Sequence, residues 1–174
     1  MGEKLDSIMM RRALEAAREA ASRGEVPVGA VVARGEEVLA VASNEREATG
    51  DPTAHAELLA IRRAAARLGG WRLTGCTLYS TLEPCPMCAG AVHAARLSRL
   101  VYAAPDPKAG YAGTLHSVPE DSRLNHTTRT SRGVLEGESA SLLRSFFHAR
   151  RRPSQGSPDT PEPQVEESRS LKSS

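Results

Sequence analysis

The sequence predicts an α/β fold, a three-layer α/β/α sandwich in which a sheet is covered by helices on both faces. Three observations carry that expectation. Stretches with helical apolar spacing alternate along the chain with short Val- and Leu-rich runs, the pattern of strands interleaved with covering helices. Two of those runs flank a tight turn at Gly35 and so form a hairpin. A chain of 174 residues with 40% hydrophobic content can bury one compact core, and an aromatic content of 3% leaves Ala, Val and Leu to fill it.

The elements follow in order. Residues 6–22 read as an amphipathic helix that ends near Gly24, and 27–34 and 37–43 as the hairpin strands. Residues 53–68 read as a second helix with Thr53 as its cap and Leu58, Ile61, Ala65 and Leu68 as its apolar stripe. A strand at 75–82 leads to a helix that opens after Pro84 and runs to about Arg96. A strand at 98–104, a weaker one near 128–135 and a final helix at about 137–151 complete the set.

Beyond Pro153 the composition turns to Pro, Ser and Glu, with Val165 and Leu171 as the sole aliphatics. Such a stretch buries too little apolar area to offset its chain entropy, so 153–174 is expected to be a disordered tail on a domain spanning 1–152. Residues 1–152 carry 21 Lys and Arg against 17 Asp and Glu, a net +4, where the whole chain carries +2. No apolar run is long enough to span a membrane and the N-terminal stretch has no signal-peptide core, so a cytoplasmic protein is expected. Cys76, in the run CTLYST, reads as a buried reduced thiol in a strand, which fits a reducing compartment.

The chemistry lies in His55-Ala56-Glu57 and Pro84-Cys85-Pro86-Met87-Cys88. One imidazole and two thiols give a tetrahedral Zn²⁺ three ligands and leave a fourth position open, the mark of a catalytic rather than a structural zinc. Cys85 and Cys88 are three apart, so on a first helical turn their sulfurs face the same way. His55 and Glu57 are two apart and reach a common ion only if they sit at a helix start, where side chains pass beyond the helix end. Two helix N-termini aimed at the ion would also favour thiolates. Each piece has a plainer reading: a redox Cys-x-x-Cys pair, a partly buried histidine, a solvated helix carboxylate. Their combination is what favours a metal centre with Glu57 as its proton carrier.

With these motifs the chain resembles the zinc-dependent nucleobase deaminases, and most closely the bacterial tRNA adenosine deaminases. The resemblance extends over residues 5–152 through Glu25–Ala30, Asn44, Asp51–Ala54, Thr81–Glu83, Asp106–Gly110, Asn125-His126 and Phe146-Phe147 with the arginines that follow. Tyr111, Ala95 and His148 depart from the pattern, and none is a proposed ligand. The resemblance implies a cytidine deaminase-like fold with a mixed central sheet, one Zn²⁺ per subunit on His55, Cys85 and Cys88, and Glu57 as the catalytic acid and base. The expected reaction is hydrolysis of adenosine to inosine and ammonia at the wobble position of a tRNA anticodon loop, by water that the zinc activates. Asn44 would hold the target nucleoside, Val28 would line its pocket, and Asp106 and Lys108 would meet flanking nucleotides. Phe147 and Arg150, with Arg144, Arg151 and Arg152, would offer stacking surface and phosphate partners on the last helix, while Phe146 is expected in the core. A homodimer is implied as well, and the apolar residues Ala89–Ala95 serve either a neighbour or the core. Two other readings stay open on the motif alone: a deaminase of a free base or nucleoside, and a non-catalytic zinc or RNA-binding module.

Overall fold

The computed structural model of the protein describes residues 2–151; Arg152 and the tail of 153–174 lie outside the described residues. The elements are α1 (Gly2–Ser22), β1 (Gly29–Arg34), β2 (Glu37–Ser43), α2 (Arg46–Thr49), α3 (Ala56–Leu68), β3 (Thr77–Leu82), α4 (Pro86–Ala94), β4 (Arg99–Ala104), β5 (Arg129–Arg132) and α5 (Glu136–Arg151). The five strands form one sheet in the order β2-β1-β3-β4-β5. β1 pairs antiparallel with β2 and β3, whereas β3, β4 and β5 run parallel, so the sheet is mixed.

Alternation of side chains along the strands divides the core between the two faces. Val31, Ala33, Tyr79, Val101 and Ala103 point to one face, where Met9, Met10, Ala13 and Leu14 of α1 cover them. The N-terminal end of α5 closes the same layer through Leu135 and Ser139, whose hydroxyl donates to the Thr81 carbonyl. Ala30, Val32, Leu78, Leu100 and Tyr102 point to the other face, under Ala56, Ala60, Ile61 and Ala64 of α3 and Val92 of α4. The three-layer sandwich expected from the sequence is the one observed. Gly29 lets α1 approach closely, because a Cβ there would run into the Ala13 carbonyl.

Four details of the sequence reading are corrected. The first helix begins at Gly2, since Asp6 does not start it: Asp6 is buried within it, accepting two bonds of 2.7 Å from Arg99 and one of 3.1 Å from Tyr79. α3 begins at Ala56 and Thr53 does not cap it; the Thr53 amide and hydroxyl both donate to Asp51 Oδ1 at 2.7 Å, which turns the chain before the helix. The buried face of α3 adds Ala56, Glu57, Ala60 and Ala64 to Ile61 of the expected stripe, whose Ala65 and Leu68 pack against the core while Leu58 lies outside that cluster; small alanines admit the helix to the sheet and turn Glu57 inward. Phe146 is not in the core: it is half-buried, stacked edge-on against Phe147 with ring centres 5.5 Å apart. Helix α2 had no counterpart in the sequence reading. Cys76 is buried, one residue ahead of β3.

Candidate active site

Two helix starts build the centre. His55 is the N-cap of α3 and Cys85 the N-cap of α4, both with extended backbone, and neither side chain caps its own helix. Ser, Thr, Asp or Asn would cap better by about 1 kcal/mol. The two side chains point to one another instead. His55 Nδ1 lies 3.6 Å from Cys85 Sγ and 3.6 Å from Cys88 Sγ. Pro86, rather than Pro84, occupies the first turn of α4, where a missing N–H is no loss, and Cys88 follows in that turn. With His55 at the cap and Glu57 two residues into the helix, the spacing that would separate them mid-helix keeps both near the helix end.

The donor set fits a zinc ion. The three ligand atoms all lie within 4.8 Å of one another. Their 3.6 Å nitrogen–sulfur separations match the edges of a tetrahedron whose bonds are about 2.0–2.3 Å, the Zn–N and Zn–S range. Among the described residues no fourth Cys, His, Asp or Glu joins the group. Glu57 is not one of the three, and lies buried beside Cys88 on the inner face of α3.

Electrostatics separate the roles. Burial pushes the Glu57 carboxyl up to about 7. A hydrogen bond from Cys88 pulls the Cys85 thiol down to about 4, and the bond to Cys85 with burial drives Cys88 upward, so the pair shares one proton. The bond to Cys85 also raises His55. A thiolate at a helix N-terminus is the form that binds a metal.

The chain around this centre is held by backbone bonds from distant segments. The Glu45 amide donates to the Ala54 carbonyl at 3.0 Å, which lays Asn44 beside the approach to His55. The Asn44 amide donates to the Val28 carbonyl at 3.1 Å, and both residues are buried. The neighbouring Gly29 amide donates to Thr81 Oγ1 at 3.1 Å, near the end of the strand that leads to Cys85. The centre thus sits at the carboxyl ends of β3 and β4, where ligands of α/β sheets bind.

Beside it lies an open cleft of about 1020 Å³ between α5 and the loop after β4. Asp106, Lys108 and Phe147 line it, as does Arg151. Arg150 does not; its guanidinium stands 5.1 Å over the Phe146 ring. Some lining residues were not anticipated for this role: Val26 was noted only within the Glu25–Ala30 segment, and Arg46 sits on the unforeseen α2. Glu83, buried directly before Pro84, was noted only within the Thr81–Glu83 segment and given no role, although an acid ending an apolar strand is itself a signal.

Residues 5–151 match the MafB19-like deaminase family. Over 147 residues the chain is 46% identical to the tRNA-specific adenosine deaminase of Bacillus subtilis, covering 84% of this chain and 91% of that one. The chain belongs to the tRNA-specific adenosine deaminase family. A solved structure from studies of A-to-I editing by tRNA:A34 deaminases at the wobble position superposes on this deaminase with a TM-score of 0.75 and 43% identity, over 78% of this chain and 98% of that one. A guanine deaminase from Nitrosomonas europaea shares the fold, with a TM-score of 0.73 at 24% identity over 82% of this deaminase and 84% of that chain. Among the described residues no helix of the deaminase is long and apolar enough to cross a membrane.

Proposed function

We propose that this deaminase hydrolyses the wobble adenosine of a tRNA anticodon stem-loop to inosine and ammonia, with Glu57 as the proton carrier. The observation that carries the reading is the meeting of His55, Cys85 and Cys88 at two helix starts beside a buried carboxylate. His55, Cys85 and Cys88 would hold one Zn²⁺. When bound there, the ion supplies Lewis acidity that lowers the pKa of a water molecule at its open position.

The remaining steps belong to the chain. A carboxyl near 7 can both take and return a proton at neutral pH, so Glu57 accepts the proton of the attacking water and delivers it to adenine N1. Glu57 then takes the remaining hydroxyl proton of the C6 adduct and gives it to the amino nitrogen, and the C6–N bond breaks to release ammonia. Adenosine and water become inosine and ammonia. Asn44 and Val28, both buried, would form the wall against the base. Asp106, Lys108 and Phe147 would meet the flanking nucleotides of an unstacked loop, with Arg150 and Arg151 beside the phosphates.

The assembly is read as a cytoplasmic homodimer. Ala89, Val92 and Ala95 are buried and Ala91 packs against the core of one subunit, which leaves Gly90 and the exposed Ala94 of the same helix for a neighbour. Purified chain mixed with total tRNA, followed by mapping of inosine, tests the function. Inosine at position 34 is expected. Ammonia released as readily from free adenosine, adenine or guanine, with no dependence on tRNA, would replace the tRNA reading with a small-molecule one.

A further inference from the structure

The Glu83 side chain is one of the most buried charged groups in the fold, and the chemistry above makes no use of it. It ends the segment that leads from β3 to Cys85, and its two oxygens are wrapped by a single loop. Oε2 accepts from the Asp106 amide at 2.9 Å and from the Thr114 hydroxyl. Oε1 accepts from the amides of Ala112, at 3.1 Å, and Thr114, at 2.9 Å. The Tyr111 amide reaches the Pro84 carbonyl next door at 2.9 Å. Gly110 is required for the fit, since a Cβ there would run into the Glu83 carboxylate and the Asp106 carbonyl. Among the described residues no other side chain tethers this loop so often.

The tether reaches the cleft through Asp106. With its amide held by Glu83, Asp106 folds the next turn by accepting from the Lys108 and Ala109 amides at 2.9 and 3.1 Å through Oδ1, and from the Gly110 amide at 2.9 Å through its carbonyl. That turn carries Pro105, Pro107 and Lys108 along the cleft wall facing α5. One carboxylate therefore joins the strand that ends in a metal-ligand motif to the wall that faces the polynucleotide.

We infer that Glu83 is a positioning residue, which presets the Asp106–Thr114 loop as one wall of the RNA cleft and so governs how well tRNA is bound rather than how fast the bound base reacts. This rests on the tRNA reading above. A loop ordered before binding loses no further freedom on contact, and an untethered loop must be ordered at the expense of affinity. In Glu83→Gln an amide NH₂ faces amide and hydroxyl donors, so at least one charge-assisted bond is lost. Gly110→Ala pushes the loop off the carboxylate while leaving Glu83 in place.

The test is steady-state and single-turnover deamination of an anticodon stem-loop by full-length unaltered chain, Glu83→Gln and Gly110→Ala, with metal content measured on each. Both variants are expected to raise KM about tenfold or more, the scale of one lost charge-assisted hydrogen bond. The single-turnover rate at saturation should change by less than about threefold, with metal content unaltered. A wild-type KM in both variants overturns the inference, as does a lower rate accompanied by metal loss at constant KM. If Glu83→Gln does not fold, Gly110→Ala decides by the same readings. The unaltered chain separates the two levels: no inosine in tRNA removes the substrate assignment and the inference with it, whereas inosine with unmoved KM in the variants removes the role of Glu83 alone.

Discussion

Replacing Glu57 with Gln should impair the enzyme and stabilise the fold from which metal has been stripped, for one physical reason. Glu57 is buried on the inner face of α3, and that burial lifts its carboxyl from the ordinary 4.5 to about 7. The shift is worth about 3 kcal/mol, at 1.36 kcal/mol for each tenfold change. Below pH 4.5 the carboxyl is protonated in both folded and unfolded chains, and its contribution to stability is complete. As the pH rises toward 7 the unfolded chain ionises while the folded chain keeps its proton, so stability is lost through that window and then levels off. Gln cannot ionise and loses nothing. After chelation, urea melts should therefore give equal stability for the two proteins near pH 4 and an advantage of up to about 3 kcal/mol for Glu57→Gln at pH 8. With zinc restored, the same variant should keep its metal on His55, Cys85 and Cys88, while kcat falls by about 10²–10⁴, the range for a lost general acid and base. Turnover within tenfold of wild type in zinc-replete Glu57→Gln would show that some other group moves the proton. No stability gain at pH 8 would show that burial does not set the acidity of Glu57.

The remaining predictions concern the scaffold and the RNA face. Arg99→Ala strands the buried Asp6 carboxylate, which keeps one bond of 3.1 Å from Tyr79, and should lower unfolding free energy by about 3–5 kcal/mol in denaturant titrations. A paired Asp6→Leu, Arg99→Met variant should lose less than Arg99→Ala alone, because no unpaired charge remains; an equal or greater loss contradicts this reading of the pair. Gly29→Ala should destabilise by about 1–3 kcal/mol or more by forcing α1 off β1, whereas Gly24→Ala meets no atom and strains the backbone only at φ +80°. Reversing charge at Arg150 and Arg151 should weaken tRNA binding and flatten its dependence on log salt by about 0.7–0.9 for each phosphate contact removed. An unaltered slope places the phosphates elsewhere.

What the linear order of residues reveals about this protein is whatever is set within about one turn of helix or one strand pair. The hairpin at Gly35 was legible because a positive-φ glycine and two Val-rich runs specify it locally, and β2 begins and ends where its alternation does. His-x-Glu and Pro-Cys-x-x-Cys were legible as a candidate metal centre because their donor chemistry has few other uses together. Where each helix begins was not, since Thr53 is diverted by Asp51 and the N-caps are filled by His55 and Cys85, residues no capping rule would choose. Phe146 looked like core because its hydrophobicity is local, while its exposure depends on how far α5 runs past the sheet.

Sequence alone therefore determined the fold class and which side chains are candidates for the reactive centre. The tertiary structure decided which of them meet and what holds them there: the 3.6 Å contacts between helices 30 and 33 residues apart, the inward turn of Glu57, and the loop wrapped on Glu83 across 23–31 residues. The physical reason is range. Propensity, capping and side-chain periodicity act over neighbouring residues, whereas desolvation and long-range hydrogen bonds exist only after the sheet has brought distant segments together.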